Sequence, residues 1–284
     1  MDYAIELNGL TKKYGNFQLD NITFKVPKGS IMGFVGENGA GKTTTIKSML
    51  NLVNTDGGEI TLLGMDTVKD NKMIKEQIGV VFDESYFHEN LFVTDIQKIM
   101  PRIYAKWDKD LFEQYINKFK IPKGKIVKEL SNGMKMKLSI AVALSHNAKL
   151  LILDEATSGL DPIIRDEILD IFLEFIQKED HTIFISSHIT SDLEKIADYI
   201  TFIHEGKIVF CENKDDLIYN YGIVHCKKEE VKRLKQSNII GIRENKYGCE
   251  VMVNNKKEVE REHRDFIVDT TTIEEIILYK VKGK

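Results

Sequence analysis

Cysteine, proline and tryptophan are scarce in this chain: three, four and one among 284 residues. Cys211, Cys226 and Cys249 are odd in number, widely spaced and free of any C-x-x-C pair. That excludes a disulfide framework and a cysteine zinc site, and leaves reduced, incidental thiols. Long apolar runs are missing too. None approaches the ~18 residues needed to cross a bilayer. The opening residues, Met1-Asp2-Tyr3-Ala4-Ile5-Glu6, lack the basic and apolar regions of a signal peptide. The expectation is a cytoplasmic chain whose membrane role, if any, is peripheral. There is no basic excess: 40 Lys and Arg against 44 Asp and Glu give a formal charge of −4 and a pI near 6.0. A nucleic-acid partner held by a general basic field is not expected. Repeats and low-complexity tracts are also absent. What is there is ordinary globular composition, 42% hydrophobic and 30% charged, enough for one large domain or a medium one plus a small one.

The most informative segment is Gly36-Glu37-Asn38-Gly39-Ala40-Gly41-Lys42-Thr43, which fits G-x-x-x-x-G-K-S/T. It follows an apolar run, Ile31 to Val35, suited to a buried strand. The pattern has a mechanism. Glycines let backbone amides close around phosphates, Lys42 supplies a point charge, and the Thr43 hydroxyl can sit on Mg²⁺. Thr44 to Leu50 reads as a helix whose N-terminal end faces the phosphates. The bland reading is a glycine-rich turn with an incidental lysine.

Short buried runs recur at Ile31 to Val35, Gly79 to Phe82, Leu150 to Leu153, Thr182 to Ser186 and Ile200 to Ile203. Helical patterns separate several of them, which predicts a mostly parallel sheet covered by helices. Tyr3 to Leu7, Leu19 to Val26 and Glu59 to Leu63 alternate as half-buried strands do, with turns at Lys12 to Asn16 and Pro27 to Gly29. Between about 84 and 147 the pattern is helical. Asp108 to Phe119 carries a one-sided stripe of Leu111, Phe112, Tyr115, Ile116 and Phe119, best read as core packing. After Asn220 the composition shifts. Lys227 to Lys235 reads as a solvated helix face, Ile239 to Arg243 and Cys249 to Val253 as strands, and Thr272 to Tyr279 as a helix. The expected division is 1–220 and a small α+β appendage at 221–284.

Further motifs follow the phosphate loop. Leu150 to Glu155 is an apolar strand ending in two acids. Asp154 beside a phosphate loop suits a Mg²⁺ ligand, and Glu155 suits a group that orients an attacking water; two acids capping a turn is the plainer alternative. In Leu130-Ser131-Asn132-Gly133-Met134, Ser131 reads as an N-cap before a helical run to about Ser145. In Ser158-Gly159-Leu160-Asp161-Pro162, Asp161 as cap and Pro162 at the first helical position need no function to explain them. Ile185-Ser186-Ser187-His188 is a strand turning polar at its end, and a lone histidine there is more often structural.

In this order the motifs resemble the nucleotide-binding subunit of ABC transporters, over about Met1 to Asn220. GENGAGKT is similar to Walker A, LLILDE to Walker B with its catalytic glutamate, LSNGM to the signature, SGLD to the D-loop and His188 to the switch histidine. Tyr14 lies where the family stacks adenine. The appendage resembles, more loosely, the extensions of single-cassette bacterial exporters of antibiotics and peptides. Two positions depart from the pattern. Asp83 stands where glutamine is usual, so a metal-ligand role for it is through a charged but shorter side chain. Asn132 and Met134 replace glycine and glutamine. Asparagine tolerates left-handed backbone, whereas Met134 loses the hydrogen bonds of glutamine.

The resemblance implies an α/β P-loop NTPase of ABC type: a mostly parallel sheet, an antiparallel β subdomain, a helical subdomain near 84–147 and the C-terminal appendage. It implies an ATPase in which two copies meet head to tail around two ATP and Mg²⁺. Gly36 to Thr44 and Tyr14 would bind nucleotide, Thr43, Asp83 and Asp154 the metal, and Lys42, Glu155 and His188 would act in catalysis. Ser131, Asn132 and Gly133 would cover the partner's γ-phosphate. A separate membrane permease would be driven, with Tyr86, Phe87 and Phe92 within Asp83 to Phe92 as candidate docking anchors, aromatics that equally well pack the helical part. Other readings stand beside this one: a soluble ABC ATPase acting on ribosomes or DNA, a small-molecule kinase, and a binding module without turnover.

Overall fold

The computed structural model describes residues 2–84 and 86–283. The chain divides into two compact units, Met1–Cys211 and Glu212–Lys284, a division that falls before the 220/221 boundary read from composition.

In the first unit the elements run β1 (Tyr3–Tyr14), β2 (Phe17–Pro27), β3 (Ile31–Val35), α1 (Lys42–Met49), β4 (Gly57–Leu62), β5 (Met65–Asp66), α2 (Asn71–Lys75), β6 (Ile78–Val81), α3 (Val93–Ile99), α4 (Lys109–Lys118), α5 (Asn132–Leu144), β7 (Leu150–Asp154), α6 (Pro162–Ile176), β8 (Thr182–Ser187), α7 (Thr190–Ile196), β9 (Tyr199–His204) and β10 (Lys207–Asn213), the last crossing the division. Two sheets result, in the orders β2-β1-β4-β5 and β10-β9-β3-β8-β7-β6. The first is antiparallel. In the second, β3 runs parallel to β8 and β9, and β7 to β6 and β8. The five parallel strands are the expected apolar runs. β3 and β7 are buried along their whole length, as parallel strands covered on both faces must be. Phe24 of β2, Phe34 of β3 and Phe184 of β8 pack ring to ring, with centroids 5.3 to 5.8 Å apart. These rings join the two sheets, and each contributes about 1.5–3 kcal/mol by burial.

Strand β1 is longer than its alternation predicts. It continues through Lys12 and Lys13 to Tyr14, and the turn is only Gly15-Asn16. Register shifts between Leu7 and Leu10 and between Leu10 and Lys12 break the period of two, which is why the pattern stops reading as strand. Helix α4 matches its stripe: Asp108 is the N-cap, accepting from Leu111 N at 2.9 Å, and Phe112 and Ile116 are buried. Helix α5 covers β6. His146, just beyond α5, places Nε2 2.9 Å from the Ile78 carbonyl and Nδ1 3.1 Å from that of Val142. Its burial pushes the imidazole below its ordinary value, against the pull of those carbonyls. No helix among the described residues is long and apolar enough to cross a membrane.

The second unit holds α8 (Lys214–Asn220), β11 (Gly222–Cys226), β12 (Ile239–Asn245), β13 (Gly248–Val253), α9 (Lys256–Glu262), β14 (Ile267–Asp269) and α10 (Ile273–Lys282). Its sheet runs β12-β13-β11-β14, antiparallel throughout, around Val224, Leu234, Val251, Val253 and Val259. Helix α8 packs on α9, which is why this unit begins before Asn220. The basic stretch is no helical face. Only Glu230–Arg233 forms a 3₁₀ turn, where Glu230 accepts from Lys227 N at 2.7 Å.

Candidate active site

The site forms where β3, β7 and β8 end side by side. After Val35 the chain turns sharply, and the turn depends on two glycines. A Cβ on Gly36 would stand 2.6 Å from the Ile203 carbonyl oxygen, and Gly41 caps α1 with φ 113° while a Cβ there would meet Leu19 at 2.5 Å. Helix α1 starts at Lys42, two residues earlier than its apolar pattern. The first-turn amides of a helix lack internal partners, and those of α1 belong to the loop itself. Glu37, Asn38 and Gly39 are exposed, Ala40, Gly41 and Lys42 buried, and Thr43 and Thr44 reach the surface.

Lys42 lies among oxygens. Its Nζ donates to the carbonyls of Gly36 at 2.7 Å and Glu37 at 3.3 Å, and stands 3.2 Å from Glu155 Oε1. That carboxylate oxygen is buried and has no hydrogen-bond partner; the ammonium is near it without aiming a proton at it. The other oxygen, Oε2, is 2.7 Å from His188 Nδ1 and accepts from His188 N at 3.4 Å. Glu155 holds φ 52°, a strained left-handed conformation costing ~1–3 kcal/mol in a non-glycine residue and concentrated at functional sites. Its backbone N–H is anchored on the Ser186 hydroxyl, 3.1 Å away.

Asp154 is 1% exposed. Ser186 Oγ donates to its Oδ1 at 2.6 Å, and Thr43 also hydrogen-bonds the carboxylate. Burial pushes this carboxyl above the usual range; the Ser186 and Thr43 hydroxyls pull it back, and the charges of Asp83 and Glu155 push it further up. A buried acid under such strain is a candidate for a cation. Among the described residues no three His, Cys, Asp or Glu side chains gather as a metal cluster, so the donor set here is a hydroxyl with a carboxylate. Asp83 is exposed and lines a cavity of about 370 Å³ with Asn132, Lys135, Ser139, Ser158 and Leu160.

Lys42, Thr43, Asp154, Glu155 and His188 are thus brought together. Ser131, Asn132 and Gly133 are not: among the described residues no hydrogen bond or ion pair ties them to the phosphate loop. They begin α5, where Ser131 Oγ accepts from Met134 N at 3.3 Å. Asn132 is the first helical residue, not one of the positive-φ residues, so left-handed tolerance is not what asparagine supplies there. Gly133 faces α6, where a Cβ would come within 3.0 Å of Ile164. Tyr14 is 44% exposed at the end of β1, with Lys12 Nζ 5.1 Å from its ring centre. Tyr86 is 70% exposed, edge-on to Phe82, and with Phe87 borders a cavity of about 290 Å³. Phe92 occupies the N-cap position of α3 through its backbone and is 46% exposed. Ser85, within the same stretch, lies outside the described residues.

Three contributors were not singled out from sequence. Ser186 is the hinge of the site, bonded to both acids. Arg165 and Asp192 flank it from α6 and α7. The signal available for Ser186 was a buried apolar strand turning polar at its last two residues.

Comparison with known proteins agrees with this geometry. The family described as ABC transporter matches residues 19–158. The bacitracin transport ATP-binding protein BcrA of Bacillus licheniformis is 38% identical over 212 residues, covering 74% of this chain and 69% of that one. The lantibiotic transport ATP-binding protein SrtF of Streptococcus pyogenes is 36% identical over 227 residues, covering 76% and 96%. A solved ATP-binding subunit of an ABC transporter superposes with a TM-score of 0.69 at 25% identity, over 76% of this chain and 92% of that one. With a phosphate loop, a buried acid and a glutamate–histidine pair at adjoining strand ends, and with these relatives, the chain belongs to the ABC transporter family as one of its ATP-binding, ATP-hydrolysing subunits.

Proposed function

We propose that this chain drives export of a peptide antibiotic through a separate membrane permease, working as a head-to-tail pair that closes on ATP and opens on hydrolysis. The observation that carries the catalytic part is the continuous line Lys42–Glu155–His188, set on strained backbone beside Asp154. The cargo class rests on the relatives, whose names speak of bacitracin and lantibiotic transport.

In this reading the loop amides of Gly36 to Thr44 and the Lys42 ammonium receive the phosphates. Phosphate oxygens replace the carbonyls that Lys42 now holds. Glu155 is then freed of the ammonium and keeps its second oxygen on His188. Its Oε1, a buried acceptor without a hydrogen bond, is the atom that takes a proton from the attacking water. His188 fixes the carboxylate's orientation and stands 43% exposed, able to reach the γ-phosphate. Thr43 and Asp154 fit a hard cation by the chemistry of their donors, with Asp83 as a further carboxylate on the rim. Mg²⁺, held by Thr43 and Asp154, would supply positive charge that offsets the phosphate oxygens. Tyr14 offers a ring face to adenine. Ser131, Asn132 and Gly133, at the start of α5, would cover the γ-phosphate of the partner copy. Tyr86 and Phe87 are proposed as permease anchors. Phe92, 46% exposed at the start of α3, is proposed as the third.

The test is Glu155→Gln. It keeps the shape and removes the base, so turnover falls ~10²–10⁴-fold while ATP binding persists. Near-normal turnover overturns the assignment. In the same background, Tyr86→Ala with Phe87→Ala leaves ATP binding intact and releases the membrane partner on affinity purification; an undisturbed complex removes the docking reading.

A further inference from the structure

Two helices follow the two halves of the catalytic pair. Helix α6 follows Glu155 by way of Ser158, Gly159 and Leu160; α7 follows His188 directly. Arg165 of α6 reaches toward α7. Arg165 Nη2 donates to the Leu160 carbonyl at 3.2 Å, and its Nε stands 3.8 Å from Asp192 Oδ2 of α7. Asp192 is 2% exposed. Both Nε and Oδ2 are buried, and neither has a hydrogen-bond partner.

That arrangement is costly as it stands. A buried carboxylate beside a partly buried guanidinium is stabilising only when their geometry is good and their protons are satisfied. Here the charges are adjacent but the bond is not made, and a movement of under ~1 Å would bring it to normal length. The contacts also form a ring. Ser158 N donates to the Glu155 carbonyl at 2.9 Å, Arg165 joins Leu160 toward Asp192, α7 leads back to His188, and His188 Nδ1 meets Glu155 at 2.7 Å. Closing the open link shortens the ring and fixes the loop after Glu155 against the segment carrying His188.

We propose that Arg165 and Asp192 are positioning residues for hydrolysis: their hydrogen bond closes when ATP occupies the site and sets Glu155 and His188 in register. The inference rests on the catalytic reading of those two residues. A plain staple between helices is the competing account, and the molecule contains its own control. Lys195 Nζ and Asp166 Oδ1, 2.9 Å apart and well exposed, already join α7 to α6 without touching the loop.

The experiment measures steady-state ATPase of the full chain with Mg²⁺ and ATP, together with thermal unfolding. Arg165→Ala and Asp192→Ala each lower kcat roughly 10- to 100-fold, the loss expected from a misplaced reacting group, with KM within about twofold. The double variant loses no more than the worse single one, since both remove the same bond. Arg165→Lys, which keeps the charge but not the fork, falls between. Lys195→Ala leaves kcat unchanged. An unchanged kcat in Arg165→Ala, a rise in KM alone, additive losses, or an equal loss in Lys195→Ala overturns the proposal. Should the alanine variants melt below the assay temperature, Asp192→Asn, which keeps shape and loses charge, gives the same comparison. Glu155→Gln runs in parallel. If it is inactive while Arg165→Ala is normal, only this inference fails; if Glu155→Gln itself turns over normally, the catalytic reading fails first.

Discussion

In the first unit, Lys42 is 6% exposed and Asp154 1%, and the charges around them are only partly answered: Glu155 Oε1 has an ammonium nearby but no hydrogen bond. In the second unit the opposite holds. Arg233 forks onto Asp265 at 2.7 and 2.8 Å, Lys235 bridges Glu258 and Glu262, and Lys228 meets Glu244 at 2.8 Å, all in or near solvent. Paired surface charges are close to neutral for stability. Buried, under-paired ones are destabilising unless something completes them. The contrast marks the first set as waiting for a charged ligand and the second as ordinary solvated structure.

The sharpest way to break this contrast is Lys42→Ala. Among the described residues the ammonium is the one positive charge in contact with both the loop carbonyls and Glu155. Without it, ATP affinity falls roughly ten- to a hundredfold or more, the loss of charge-assisted hydrogen bonds worth ~1.5–3 kcal/mol each. Titration with a fluorescent ATP analogue measures it. Affinity equal to that of the parent would mean that the amides alone hold the phosphates, and that Lys42 is no more functional than Arg233.

The part of the site that was legible in sequence is the part whose chemistry is contiguous. Gly36 to Thr43 carries glycines, lysine and hydroxyl in eight consecutive positions, and Asp154 and Glu155 end an unbroken apolar run. The central strands were legible for the same reason, since burial on both faces leaves no polar interruption. Ser186 was not, because its partner Asp154 is thirty-two positions away and a serine at a strand end has many ordinary explanations. Arg165 and Asp192 were hidden likewise: only the packing of α6 on α7 brings them together. Bulges concealed the second half of β1. In the appendage, β11 and β14 are five and three residues long, too short for a period to emerge, and the lysine-rich stretch between β11 and β12 spaces its charges as a helix would without forming one.

Asp154→Asn sharpens the contrast from the side of stability. Burial raises the folded-state pKa of Asp154. A carboxyl raised in this way is protonated more readily in the native state than in the unfolded chain. Stability therefore falls as pH rises from the ordinary carboxylate range through the native value, and at neutral pH the ionised acid is a net cost. Asparagine keeps an oxygen for Ser186 and removes the charge. The nucleotide-free variant unfolds at the same temperature as the parent or higher at pH 7.5, and the difference shrinks toward pH 4. Its turnover is lost, and added Mg²⁺ with ATP raises its melting temperature less than that of the parent. A variant clearly less stable at pH 7.5 would show that the acid is satisfied by its neighbours and is not held in readiness for a cation.

The smallest effect belongs to the second unit. Arg233→Ala removes a bidentate pair with Asp265 and a contact with the Phe266 ring, whose centre lies 4.5 Å from the guanidinium carbon. On geometry alone this is a well-made ion pair, bidentate where Lys42 stands 3.2 Å from Glu155 with no hydrogen bond made. Yet water hydrates both partners in the unfolded chain and most of their surface in the folded one, so little is gained by pairing. The expected outcome is an unfolding midpoint and an ATPase rate indistinguishable from the parent, in low and high salt alike. A marked loss of turnover in Arg233→Ala would reverse the comparison, because it would place a functional charge in the unit whose ion pairs lie in or near solvent.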